Sequence, residues 1–208
     1  MLPLDALIAF FGIAVLLALA PGPDNLFVLV QSAMWGRGAG MMVVLGLCTG
    51  VLGHTAAVAV GLAGVVAASP VAFTVLKLAG AAYLAYLAWG AWRAPVGASG
   101  VDRPERMPSL ALYRRGVFMS LTNPKVLLFF FAFLPQFTQP DAGPLALQIV
   151  ELGVAFMVAA LLVFSAIAFF SGAFGELLQR SPLAQRVLNR LAAVVFVGLA
   201  LRLVTSSR

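Results

Sequence analysis

Pro21-Gly22-Pro23-Asp24-Asn25 interrupts an apolar stretch that runs from about Leu2 to Trp35. Its flanks, Leu7 to Ala20 and Leu26 to Val30, are almost purely apolar. Proline lacks a backbone donor and clashes with the preceding turn, so a helix entering this run must break. In lipid a broken helix is tolerated only where it is buried in protein or lines a cavity. An acid at that depth is costly enough to need a purpose. The run therefore predicts a membrane protein with a working site near Asp24.

Composition points the same way. The 208 residues are 62% hydrophobic and 10% charged, with mean hydropathy +1.05, whereas a soluble domain carries about 25% charged residues. The length suits about six helices of roughly 20 residues with short loops, and no sizeable extramembrane domain is expected. The net charge is +6, but the arginines flank apolar segments. That pattern orients a chain in a membrane and gives no basic face for nucleic acid. Ala18-Leu19-Ala20 resembles a signal cleavage site. Met1 to Asp5 holds no Lys or Arg, so the first span is expected to be retained.

Six apolar segments stand out, at roughly 4–35 (broken at 21–25), 39–66, 70–92, 114–137, 144–172 and 186–204, and they read as transmembrane helices. Pro95, Gly97, Gly100, Pro104 and Pro108 mark a linker between the third and fourth. The expected organisation is a first three-helix repeat over 1–95, a cytoplasmic linker over 96–112 and a second three-helix repeat over 113–208. Basic residues alternate along the connections. Arg37, then Arg93, Arg103, Arg106, Arg114 and Arg115, then Arg180, Arg186 and Arg190 mark one side. The positive-inside rule makes that side cytoplasmic and puts both termini outside; Arg202 and Arg208 run against it.

Two three-span halves in one chain must face opposite ways, the inverted-repeat layout of many secondary transporters. The fold expected is thus an all-α integral membrane protein, six transmembrane helices in two inverted repeats, with helices 1 and 4 interrupted. The second interruption is Asn123-Pro124-Lys125. At about 1.5 Å per residue, Pro23 lies about 21 Å from Arg37 and Lys125 about 15 Å from Arg115, so both breaks fall near the middle of a core about 30 Å thick. Paired interruptions of this kind point to a transporter site.

Asp24 and Lys125 each cost on the order of 3 kcal/mol at a helix centre, and together they can compensate. One acid, one base and the free backbone donors of a reopened helix match a zwitterion. The candidate substrate-binding set is Pro21, Gly22, Pro23, Asp24, Asn25, Asn123, Pro124 and Lys125. The competing reading is structural: Asp24 or Asn25 caps the helix of Leu26 to Met34, and Lys125 snorkels along its stem. Asp24 and His54 are the proton-coupling candidates, although a lone histidine is more often a packing residue. Gly46 and Gly50 form a G-x-x-x-G pair suited to close helix packing. Cys48, the only cysteine, reads as a small packing residue, and with one His and one Cys no metal site is expected. Gln31, Lys77 and Glu151 read as structural; Trp35, Trp89, Trp92 and Tyr113 read as interface aromatics at the cytoplasmic ends. H-E-x-x-H, G-x-S-x-G and P-loop patterns are absent from the sequence, so no enzyme and no cofactor is expected, and ion coupling is the natural energy source.

P-G-P-D-N at 21–25, W-G-R-G-A-G at 35–40, L-G-L-C-T-G-V-L-G-H at 45–54, L-T-N-P-K at 121–125 and F-L-P-Q-F at 133–137 together resemble the LysE/RhtB family of amino-acid exporters. The resemblance covers nearly the whole chain, and the RhtB branch (homoserine, threonine and leucine efflux) is the nearer. It implies a multi-pass carrier in the bacterial inner membrane that exports a small amino acid or a derivative by proton antiport. Its partners are then the amino acid, protons and the bilayer, and a homo-oligomer stays open. The rival readings are a carrier of another small solute or ion, an intramembrane enzyme using Asp24 or His54 for proton transfer, and a structural subunit.

Overall fold

The computed structural model describes residues 1–68, 70–94, 106–171 and 181–205. Among them the regular structure is helical. The elements are α1 (Leu4–Leu19), α2 (Pro23–Trp35), α3 (Arg37–Ala68), α4 (Pro70–Arg93), α5 (Ser109–Thr122), α6 (Pro124–Leu128), α7 (Leu145–Phe169) and α8 (Pro182–Thr205). Much of the expected linker, and Arg180 of the later basic connection, lie outside the described residues.

Among the described residues three helices are long and apolar enough to cross a membrane alone, and up to five spans result if each bent pair is one span. The bent pairs are α1 with α2, at 63°, and α5 with the segment from Pro124 to Phe137, at 48°. The outer surface is apolar, with Ile8, Leu162, Phe170 and Val194 each more than half exposed. In water such a surface would drive aggregation; in lipid it is the solvent-facing side.

Both breaks are shorter than the sequence suggested. Helix α2 already starts at Pro23, and α6 at Pro124. Proline is favourable at the first helical position, where its missing N–H would have no partner and its fixed φ suits the turn. Gly22, in extended conformation, is the N-cap of α2 and no side chain caps it, which corrects the expectation that Asp24 or Asn25 does so. Asn123 does cap α6, its side chain accepting from Lys125 N. Gly36, at φ 87, ends α2 and turns the chain directly into α3, a left-handed conformation that favours glycine.

Beyond α6 the chain departs from the expected plain helix. Phe129–Phe133 is a π-helical turn, followed by a 3₁₀ turn over Leu134–Phe137. Pro135 cannot donate to the carbonyl of Phe131 and its ring crowds it, so an α-helix cannot run through. The wider turn brings Phe129 and Phe133 into a stack with centroids 5.0 Å apart, and Phe156 of α7 packs 5.1 Å from Phe130.

Helix α3 packs on α5 and α7, α1 on α7, α4 on α8, and α2 on α3. The α3–α5 approach is close, because glycines face backbone across it. A Cβ on Gly46 would overlap the Tyr113 carbonyl and crowd Gly116; one on Gly50 would overlap Ser120. We expect Gly46→Ala to destabilise by about 1–3 kcal/mol, the usual cost of overpacking. Gly61→Ala, where nothing lies within 4 Å, should be neutral or stabilising by a few tenths of a kcal/mol, roughly the helix propensity gain. Thermal unfolding of both variants in detergent checks the contrast; equal shifts would mean that the close approach is absent.

Candidate functional site

The two broken helices supply the charges of one site. Asp24 sits in the first turn of α2 and is 2% exposed; Lys125 sits in the first turn of α6 and is 6% exposed. Both line one cavity of about 20 Å³, with Leu17 and Ala18 of α1, Leu47 and Val51 of α3, and Phe156, Ala160 and Phe164 of α7. That is the room of about one water.

The prolines explain where the hydrogen bonds go. In an unbroken helix the Leu17 carbonyl would accept from residue 21, which is a proline without a donor. Lys125 Nζ donates to it instead, at 3.2 Å, and to the Ala20 carbonyl, also at 3.2 Å. Asn25 Nδ2 takes the Ala18 carbonyl at 2.8 Å. The end of α1 is thus capped by side chains from α2 and from the other broken helix. Lys125 does not snorkel: its ammonium is buried on backbone oxygens, leaving one of its three donors.

Asn123 joins the two breaks. Its Nδ2 donates to Asp24 Oδ2 at 2.6 Å, and its Oδ1 accepts from Lys125 N at 3.0 Å. The other carboxylate oxygen, Asp24 Oδ1, is buried with no hydrogen-bond partner, and so is Asn25 Oδ1. No hydrogen bond joins Asp24 directly to Lys125 among the described residues. An unpaired buried carboxylate oxygen is costly, and it sits where a cation could meet it.

The other candidates separate into two groups. Gly22 lies against the site, where a Cβ would stand 3.4 Å from Lys125 Nζ. Pro21, Pro23 and Pro124 are exposed and shape the breaks without lining the cavity. His54 is buried on α3, and its Nε2 is 3.0 Å from the Ser120 carbonyl. Gly46 and Gly50 lie in the α3–α5 contact. Glu151 accepts from Leu2 N at 2.9 Å. Tyr113 donates to Thr49 at 3.0 Å. Sequence reasoning missed the α7 wall and the carbonyls of Leu17, Ala20 and Ser120. A signal existed for two of them, since Pro21 and Pro124 each orphan the carbonyl four residues earlier.

Among the described residues no cluster of three or more His, Cys, Asp or Glu could hold a metal ion. A buried acid and a buried base on two broken helices suit the binding and release of a charged small molecule. The family model described as LysE type translocator matches residues 15–207. This chain belongs to that family. As a LysE type translocator it is a multi-pass membrane transporter and not an enzyme. It is 32% identical over 190 residues, 91% of each chain, to homoserine/homoserine lactone efflux proteins of Salmonella typhi and of Salmonella typhimurium. It is 30% identical over 201 residues, 96% of each chain, to an uncharacterized membrane protein of Vibrio cholerae. No solved structure matches this translocator.

Proposed function

We propose that this translocator exports a small amino acid or amino-acid derivative from the bacterial cytoplasm, across the inner membrane, in exchange for protons. The observation that carries the reading is the convergence of Asp24 and Lys125, one from each break, on one cavity with Asp24 Oδ1 unpaired. The cargo ammonium takes Asp24 Oδ1, and the cargo carboxylate takes the third donor of Lys125. A proton and an ammonium compete for the same oxygen, so each displaces the other, and mutual exclusion at one carboxylate yields exchange. The relatives named for homoserine and homoserine lactone efflux support a cargo with an α-amino group.

The architecture we infer is six spans in two inverted halves, 1–95 and 113–208, joined by a cytoplasmic linker over 96–112, with α4 as the third span and both termini outside. The packing supports it. An inversion that exchanges α1–α2 with α5–α6, α3 with α7 and α4 with α8 turns the α3–α5 contact into α7–α1. It leaves α3–α7 and α4–α8 unchanged. All four contacts occur. Each half also places a proline at the first position of its reopened helix and the charge directly after it. Orientation is supported by the arginines at one end of the bundle: Arg37 on Phe169, Arg93 on Trp89, Arg106 on Trp35 and Arg190 on Trp92.

The cavity of about 20 Å³ is too small for an amino acid, so cargo enters only when the walls part, as alternating access requires. The test is counterflow in proteoliposomes with labelled homoserine, threonine, leucine and lysine, with and without a pH gradient. Absence of counterflow for all of them would overturn the amino-acid reading; counterflow indifferent to the gradient would overturn proton exchange. Among the described residues Asp24 is the one acid on the cavity wall, so a second cationic group on the cargo finds no counter-charge there. Burying it unpaired costs several kcal/mol. Lysine counterflow is therefore expected to be weaker than that of a neutral amino acid by more than about tenfold, at 1.4 kcal/mol per decade.

A further inference from the structure

We propose that His54 is a positioning residue of the site, serving as a fixed hydrogen-bond donor and not as a proton carrier; this rests on the transport reading above. In a continuous helix the Ser120 carbonyl would accept from residue 124. That residue is Pro124, which has no N–H. The carbonyl would be left with the Asn123 N–H alone, at 3.1 Å. His54 Nε2, 3.0 Å away on α3, supplies the second donor. A carbonyl only accepts, so Nε2 carries the hydrogen.

The consequence reaches the charges through Asn123. Its N–H and the His54 ring share one acceptor, and its side chain bridges Asp24 Oδ2 and Lys125 N. Holding the Ser120 carbonyl therefore holds the cap from which both charged residues are set. The first break is treated alike: Pro21 orphans the Leu17 carbonyl, and Lys125 replaces the donor. The same defect is repaired in each half by a side chain from another element. His54 and Lys125 differ in that Lys125 reaches the cavity, whereas His54 is not among the residues lining it. Around the His54 ring stand the Ser120 carbonyl from α5 and the Phe130 ring, centroids 5.7 Å apart. The charged side chains on the cavity wall next to Ser120 are Asp24 and Lys125.

The test compares His54→Gln and His54→Leu in reconstituted counterflow with labelled homoserine, reading KM and maximal rate across pH 5.5–8.5 (a range of about three decades of proton activity, spanning ordinary histidine titration). Glutamine keeps an N–H donor at similar reach but does not titrate. His54→Gln is expected to keep the wild-type pH profile, gradient dependence and KM. His54→Leu is expected to raise KM about tenfold, the worth of a buried hydrogen bond, without altering the shape of the pH profile. If His54→Gln loses gradient dependence, or if His54→Leu transports like the wild type, the inference is overturned. A second measurement does not depend on the cargo. His54→Gln keeps a donor for the Ser120 carbonyl, so it should lose clearly less thermal stability than His54→Leu. Equal losses in the two variants would overturn the hydrogen-bond role. If the wild type moves no amino acid, the transport reading fails, and this comparison still decides whether His54 stands in for the missing donor.

Discussion

Asp24→Asn is expected to reduce gradient-driven efflux to background while the protein still reaches the membrane in normal amount. Asparagine has nearly the size of aspartate, and its amide oxygen can still accept from Asn123 Nδ2, so the bond that joins the two broken helices survives. What disappears is the charge. Cargo then meets an amide where it needed a carboxylate, and a hydrogen bond to a charged group is worth about 1.5–3 kcal/mol, or roughly 10- to 100-fold in affinity. Exchange suffers more, because an amide cannot take up the proton that displaces the cargo. Residual counterflow at high cargo concentration, with no response to a pH gradient, is the expected signature. Wild-type efflux from Asp24→Asn at matched expression would remove Asp24 from the site.

Lys125→Met should abolish efflux and lower stability more than Asp24→Asn does, because Lys125 keeps its two carbonyl acceptors when Asp24 is neutralised. The substitution keeps much of the stem but removes the ammonium from the carbonyls of Leu17 and Ala20, and it leaves Asp24 buried without a neighbouring positive charge. Removing one member of a buried charge pair costs about 3–5 kcal/mol. The double variant Asp24→Asn/Lys125→Met is therefore expected to unfold at a higher temperature than Lys125→Met alone, since no uncompensated charge remains. Coupling of about 0.5–3 kcal/mol is usual for residues that share a network. If the two stability losses simply add, the charges do not sense each other.

The helical segments were legible because each is a long apolar run, and their ends were marked by Gly36 and the prolines. Asp24 and Lys125 were legible because a charge inside such a run has no bland explanation. The arrangement around them was not. That Lys125 bonds to backbone of α1, and that Asn123 spans the two charges, are facts of tertiary placement. A backbone carbonyl has no letter in a sequence, and only the position of a proline four residues downstream betrays that it lacks a donor. The π turn at Phe129–Phe133 was hidden for a related reason. The effect of Pro135 is taken up by the preceding turn and its phenylalanine stack, not at the proline itself.

The glycine contact between α3 and α5 bears on how the molecule can move. Backbone meets backbone at Gly46 and Gly116, and the register is pinned at two levels, by Tyr113 on Thr49 and by His54 on Ser120. A slide along this seam would break both bonds and drive Cα atoms into carbonyls. Helix α3 belongs to the first half of the chain and α5 to the second, so this weld crosses the boundary between the halves. The two halves proposed above are then not free to rock as two blocks. In the alternating access proposed above, the parting that admits cargo then occurs along other seams, such as α1 against α7, and the proposed repeat is not the piece that moves.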